Sequence, residues 1–134
     1  MILICGIPNA GKTTYSKRYN NVIHFDGIKG GRRRRDIVVD LVKADNDVVV
    51  EGVYPKAKER KRLVDASSVY NTCIWLDVPV DVCLSRENKY RKRGEHLVIW
   101  AAEDFEPPAL DEGWDELIII RGEHEQRSSR PTQD

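Results

Sequence analysis

The chain has 134 residues, 40% of them apolar, and its 22 basic residues balance 22 acidic ones. That length supports one domain with a single modest core, and the apolar share excludes a disordered chain. The zero net charge excludes recruitment of a polyanion by a global field, although basic residues cluster locally at 29–35, 56–62 and 86–93.

Cys5, Cys73 and Cys83 stand among aliphatics with neither metal-ligand spacing nor a disulfide framework. No basic leader is evident, and no apolar run approaches the roughly 20 residues of a membrane helix. The expected compartment is reducing, most simply the cytoplasm.

In chain order, aliphatic runs at 1–5, 21–25, 47–50, 72–76 and 116–120 read as short strands buried on both faces. Between them, 12–19, 36–43, 56–66, 80–90 and 97–105 are compatible with helix. Strands alternating with helices predict right-handed βαβ units, hence an α/β domain with a parallel sheet and helices in layers on its faces. The domain is predicted over 1–121, followed at 122–134 by a polar, disordered tail containing Ser128-Ser129-Arg130-Pro131.

The strongest motif is Gly6-Ile7-Pro8-Asn9-Ala10-Gly11-Lys12-Thr13-Thr14, a full match to G-x-x-x-x-G-K-[ST] between a strand and a helix. Glycines let backbone N–H groups curl around phosphate oxygens, and the following helix turns its positive end toward them. Gly6, Pro8, Asn9, Ala10, Gly11, Lys12, Thr13 and Thr14 are therefore predicted to bind ATP. Lys12 would reach the β- and γ-phosphates, and the Thr13 hydroxyl would ligand Mg²⁺.

Other residues bear on what happens to the γ-phosphoryl. Asp26 follows the second strand, where a carboxylate could take the proton of an acceptor hydroxyl; as Asp26-Gly27 it also suits a plain turn. Glu51 ends the third strand and reads either as a second Mg²⁺ contact or as a solvated acid. Arg86, Lys89, Arg91, Lys92 and Arg93 lead to Gly94. One or two of these arginines would cover ATP, and the remainder would line a solvated face.

Taken together, the loop at 6–14, Asp26, Asp77-Val78-Pro79 with Arg86, Arg93-Gly94 and Phe105-Glu106-Pro107-Pro108 resemble the 5′-hydroxyl polynucleotide kinase family of small P-loop kinases. The resemblance spans Met1 to about Ile120 and implies a five-stranded parallel sheet in the order 2-3-1-4-5. It implies Asp26 as general base, Arg93 on the nucleotide phosphates and Lys29 on the acceptor's phosphate. Lys29 stands where the family often has arginine, Glu51 replaces a more usual aspartate, and the segment between Asp26 and Glu51 is short.

On the acceptor side, Gly30-Gly31-Arg32-Arg33-Arg34-Arg35 suits a phosphate-rich acceptor, with Arg32 and Arg33 as candidate contacts, or a solvated loop. The basic residues at 56–62 would extend that track. Tyr54 would stack on a base or join the core. Trp100, Phe105 and Trp114 are expected to pack as core or support, and the three histidines carry no partner spacing. The reading is ATP-dependent transfer to a hydroxyl, with the polynucleotide 5′-OH favoured and neither membrane nor obligate protein partner expected. The rivals are a kinase for a nucleotide, a small metabolite alcohol or a hydroxymethylated base in DNA, and a nucleotide-binding regulatory module without transferase activity.

Overall fold

The computed structural model describes residues 1–90 and 94–131. Strand β1 (Ile2–Cys5) leads through the glycine-rich loop into α1 (Lys12–Ser16), then β2 (Val22–His24), α2 (Arg34–Ala44) and β3 (Val49–Glu51). There follow α3 (Ala57–Ala66), β4 (Thr72–Leu76), α4 (Val80–Tyr90), α5 (Glu95–Asp104), β5 (Glu116–Arg121) and β6 (His124–Ser129). Single 3₁₀ turns occupy Phe25–Gly27, Gly31–Arg33 and Leu110–Glu112.

All six strands form one sheet in the order β2-β3-β1-β4-β5-β6. The first five run parallel, with Leu3 beside both Val50 and Cys73, and Cys73 beside Leu117. The predicted 2-3-1-4-5 core is therefore present. Alternation along each strand splits the apolar side chains between two cores. Leu3, Cys5, Val50 and Cys73 pack with Val38, Val42, Leu63 and Trp114. Ile4, Val49, Ile74 and Ile118 pack on the opposite face with Ala10, Cys83 and Val98. Helices α2 and α3 thus cover one face, and α4 and α5 the other, giving three layers. The three cysteines are free and buried within these cores, Cys5 and Cys73 with their sulfurs 3.8 Å apart. Among the described residues, no helix is long and apolar enough to cross a membrane.

The structure corrects the expected tail. Residues 124–129 form β6, antiparallel to β5, with Arg121 opposite His124 across a two-residue turn. Gly122 opens that turn at φ 61, a conformation suited to the first central position of a hairpin turn. The strand is polar along its length because it lies at the sheet edge, held by backbone pairing rather than by burial. Trp100 is also corrected: it is 62% exposed. Helix α5 is apolar almost all round, and only the stripe of Val98, Ala101 and Ala102, continued by Phe105, meets the sheet. Trp100 falls outside that stripe, whereas Trp114 is buried and Phe105 stacks on Trp75 with ring centroids 5.8 Å apart.

Most of the basic residues at 56–62 are engaged in ion pairs within the fold. Lys56 pairs with Asp104, Lys61 with Asp65, and Arg62 with Asp36 and Glu59. Arg60 is fully buried and meets Glu112 through two parallel hydrogen bonds of 2.8 Å. Two further N–H groups donate to the carbonyls of Tyr54 and Glu106, both at 2.8 Å. Burial alone would lower the Arg60 pKa, but the hydrogen bonds and charge of Glu112 outweigh it and raise it above the ordinary value. Glu112 also accepts from the Trp114 indole at 3.1 Å. This network ties α3 to the segment that leads into β5. Replacing Glu112 with alanine strands a buried guanidinium, so Glu112→Ala should lower stability by about 3–5 kcal/mol. Urea denaturation followed by Trp fluorescence checks this, and a loss below about 1 kcal/mol would show that the pair is dispensable.

Candidate active site

Parallel strands present their carboxyl ends along one sheet edge, and the loops leaving them meet there. A cavity of about 590 Å³ opens at that edge. It is lined by Asn9, Ala10, Gly11, Lys12, Thr13 and Thr14, by Asp26 after β2, by Glu51 closing β3, and by Arg86 of α4. Leu76, Val78, Ile120 and Gly122, around the ends of β4 and β5, complete the wall with Tyr15 and Arg18.

The loop has the shape its residues imply. A Cβ on Gly6 would lie 2.8 Å from the carbonyl oxygen of Leu76, so only glycine lets the loop leave β1 so close to β4. Gly6 and Pro8 are buried and do not line the cavity, whereas Asn9 to Thr14 do. The Ala10 N–H donates to the Ile7 carbonyl at 3.2 Å. The Lys12 ammonium reaches back to the same carbonyl at 2.9 Å, and its side chain is almost wholly buried. That leaves a compact cationic cradle of the kind that accepts phosphate oxygens.

Helix α4 reinforces it. Arg86 donates from Nη1 to the Asn9 carbonyl at 2.8 Å. The Asn9 amide donates to Glu87 Oε2 at 2.5 Å and to the Cys83 carbonyl at 3.2 Å. Burial pushes the Cys83 thiol pKa up, with Arg86 and Lys12 partly offsetting it, so the sulfur stays neutral beside the loop.

On the cavity wall, the Thr13 hydroxyl donates to Glu51 Oε1 at 3.0 Å. The other Glu51 oxygen lies 3.4 Å from His24 Nδ1. A hydroxyl and a carboxylate are the hard oxygen donors that Mg²⁺ takes, and this pair fits a cation that completes its shell with phosphate and water. Among the described residues no group of three His, Cys, Asp or Glu could hold a metal by itself.

Asp26 lies in the 3₁₀ turn after β2, exposed, on the same cavity as Lys12 and Thr13. Lys29, Arg32 and Arg33 are exposed just beyond it and do not line the cavity. Arg34 and Arg35 lie over the Phe25 ring at 5.8 and 5.3 Å. Arg35 also sits 5.4 Å from the ring of Tyr54, which is a buried core residue. Arg93 falls outside the described residues.

No protein-family model and no curated protein matches the chain. Solved structures do. A gluconokinase from Sinorhizobium meliloti 1021 aligns with a TM-score of 0.66 at 14% identity, over 89% of this chain and 81% of that one. A sugar kinase from Janibacter sp. HTCC2649 aligns at 0.68 and 18% identity, over 89% and 83%. The APS kinase CysC of Mycobacterium tuberculosis, solved with AMPPNP and APS, aligns at 0.58 and 17% identity, over 92% and 88%.

The chain shares the three-layer α/β fold of these kinases. At these identities the likeness establishes the fold alone. Within that fold the structure brings Lys12, Thr13, Asp26, Glu51 and Arg86 together on one cavity, and sets Lys29, Arg32 and Arg33 apart as an outer group.

Sequence reasoning missed Tyr15, Arg18, His24 and Glu87. Tyr15 and Arg18 are one helical turn apart, with the guanidinium 3.6 Å from the ring centroid, a pairing that their spacing could have suggested. Glu87 carried no such signal inside a charge run. Because the Gly6 Cβ would strike backbone, Gly6→Ala should lower stability by about 1–3 kcal/mol and weaken ATP binding. Thermal melting with calorimetric titration of Mg·ATP measures both, and a wild-type profile would exclude the tight approach at Leu76.

Proposed function

We propose that this chain transfers the γ-phosphoryl of ATP to an alcohol, most directly the 5′-hydroxyl of a polynucleotide. One observation carries the reading: a candidate base, Asp26, shares a single cavity with Lys12, Thr13 and Glu51 of the phosphate and metal site. A triphosphate in the loop would have its β- and γ-oxygens against Lys12. Thr13 and Glu51 would hold Mg²⁺, which supplies charge neutralisation across the β- and γ-phosphates when bound. The acceptor oxygen forms its bond to the γ-phosphorus as the bridging bond to the β-phosphate breaks. Its proton passes to the Asp26 carboxylate, and ADP leaves. Arg86, steadied on Asn9, and Arg93 would balance charge on the transferring group.

The polynucleotide acceptor draws support from the cations past Asp26. Lys29, Arg32, Arg33, Arg34 and Arg35 form no carboxylate ion pair among the described residues, whereas four of the five basic residues at 56–62, Lys56, Arg60, Lys61 and Arg62 but not Lys58, are paired. Of these, Lys29, Arg32 and Arg33 are exposed while Arg34 and Arg35 are half-buried, and a group of exposed cations without carboxylate partners suits successive phosphates. A second reading, a small or nucleotide acceptor, rests on the short segment between Asp26 and Glu51. The names gluconokinase, sugar kinase and APS kinase describe small acceptors in the similar structures.

Radiolabelled ATP with Mg²⁺ and a panel of 5′-hydroxyl oligonucleotides, nucleosides, nucleotides and sugars separates the two. Label on oligonucleotides is the expected result, label on sugars or nucleotides alone establishes the second reading, and label on nothing overturns transfer. With the responsive acceptor, Asp26→Asn should reduce kcat by about 10²–10⁴-fold while the Kd for ATP stays within twofold; retained turnover would remove Asp26 as base. Replacing Lys29, Arg32 and Arg33 together with alanine should raise the oligonucleotide KM. It should also flatten the log–log salt dependence by about 0.7 per lost phosphate contact, leaving the KM for ATP unchanged. An unaltered salt slope would place the acceptor elsewhere.

A further inference from the structure

Glu87 is only 2% exposed, yet it lies on α4 beside the phosphate loop, where a negative charge is unwelcome to a triphosphate. A carboxylate that deep must find its compensation locally. Among the described residues two donors reach it from different parts of the chain: the Asn9 side-chain amide at 2.5 Å on Oε2, and the Gly94 backbone N–H at 2.6 Å on Oε1. Asn9 and Gly94 both donate, so each oxygen faces a donor that calls for an acceptor. Glutamate provides that, and glutamine of the same size cannot.

The partner that matters is Asn9. It is a non-glycine residue at φ 69 in the middle of the loop, a conformation asparagine tolerates and most residues resist. Three contacts from α4 hold it there, from the Cys83 carbonyl, Arg86 and Glu87. Those positions are i, i+3 and i+4, one face of the helix. Ala10 and Gly11 follow immediately and line the cavity, so the backbone setting at Asn9 carries directly into the part of the loop that faces it.

We infer that Glu87 is a positioning residue for the nucleotide: its buried carboxylate locks Asn9, and through it the phosphate cradle, while anchoring the start of α5 at Gly94. The inference rests on reading residues 6–14 as a triphosphate cradle, and it adds a residue to that site.

The test uses the full chain, with calorimetric titration of Mg·ATP and of inorganic tripolyphosphate at a temperature where far-UV circular dichroism shows each variant folded. Glu87→Gln opposes a donor to a donor. Asn9→Gly keeps the left-handed backbone and deletes the grip. Each should weaken both probes by about 5- to 50-fold, because the cradle and not the base site is loosened. The double variant should fall no more than about twofold below the weaker single one, as residues acting in series do. A Glu87→Gln protein that binds both probes within twofold of wild type overturns the inference, and so do losses that simply multiply in the double variant. If Glu87→Gln does not fold, Asn9→Gly decides, since unchanged affinity there removes the grip on the loop. A wild-type chain that binds neither probe overturns the cradle and this inference together, whereas a binding wild type with an indifferent Glu87→Gln overturns the inference alone.

Discussion

Strand β1 is hydrogen-bonded on both sides by parallel neighbours, β3 and β4, and the chemistry at the cavity depends on that pairing. Parallel alignment makes the exits of all three strands coincide at one edge. Ile4 stands beside Glu51 in register, so the residue that closes β3 arrives where the phosphate loop begins. The same alignment on the other side brings the Leu76 carbonyl against Gly6. Backbone hydrogen bonding therefore sets the positions of Thr13 and Glu51 before any side-chain contact refines them. The 3.0 Å bond between them is a consequence of register.

Two buried charged clusters, one on each face of the sheet, tie helices to the segments beside them. On the face covered by α2 and α3, Arg60 and Glu112 satisfy each other and four further partners, joining α3 to the approach of β5. On the opposite face, Glu87 joins α4 to the phosphate loop and to the start of α5. Neither region could be stapled by apolar packing alone, because a loop of backbone amides offers polar groups that must be paired. Directional contacts to charged groups are the means available to a domain this small.

Much of the architecture was legible in the residue pattern. Aliphatic runs bounded by turn residues located five strands to within two residues, and helix α4 coincides with its predicted range. The glycine-rich motif located the loop, and the alternation of elements located Asp26 and Glu51 on the same edge. The remainder was illegible for identifiable reasons. Strand β6 has exposed residues along almost all its length, so no hydrophobic period marks it, and its stability resides in backbone pairing with β5. Trp100 misled because apolarity says nothing of which helix face meets the sheet. Arg60 and Glu112 are 52 positions apart, and Asn9 and Glu87 are 78 apart. Two members of a buried pair that far removed in sequence look like ordinary surface charges until the fold joins them.

The thiols have a practical corollary. Cys5, Cys73 and Cys83 are all sequestered, and burial raises the pKa of Cys73 and Cys83 still further from thiolate chemistry. Maleimides and disulfide reagents attack the ionised, accessible sulfur, so the native chain presents almost no background to them. A lone cysteine introduced on the outer surface of β6 or on the Trp100 side of α5 would then accept a spectroscopic label at one place, without first deleting the natural ones.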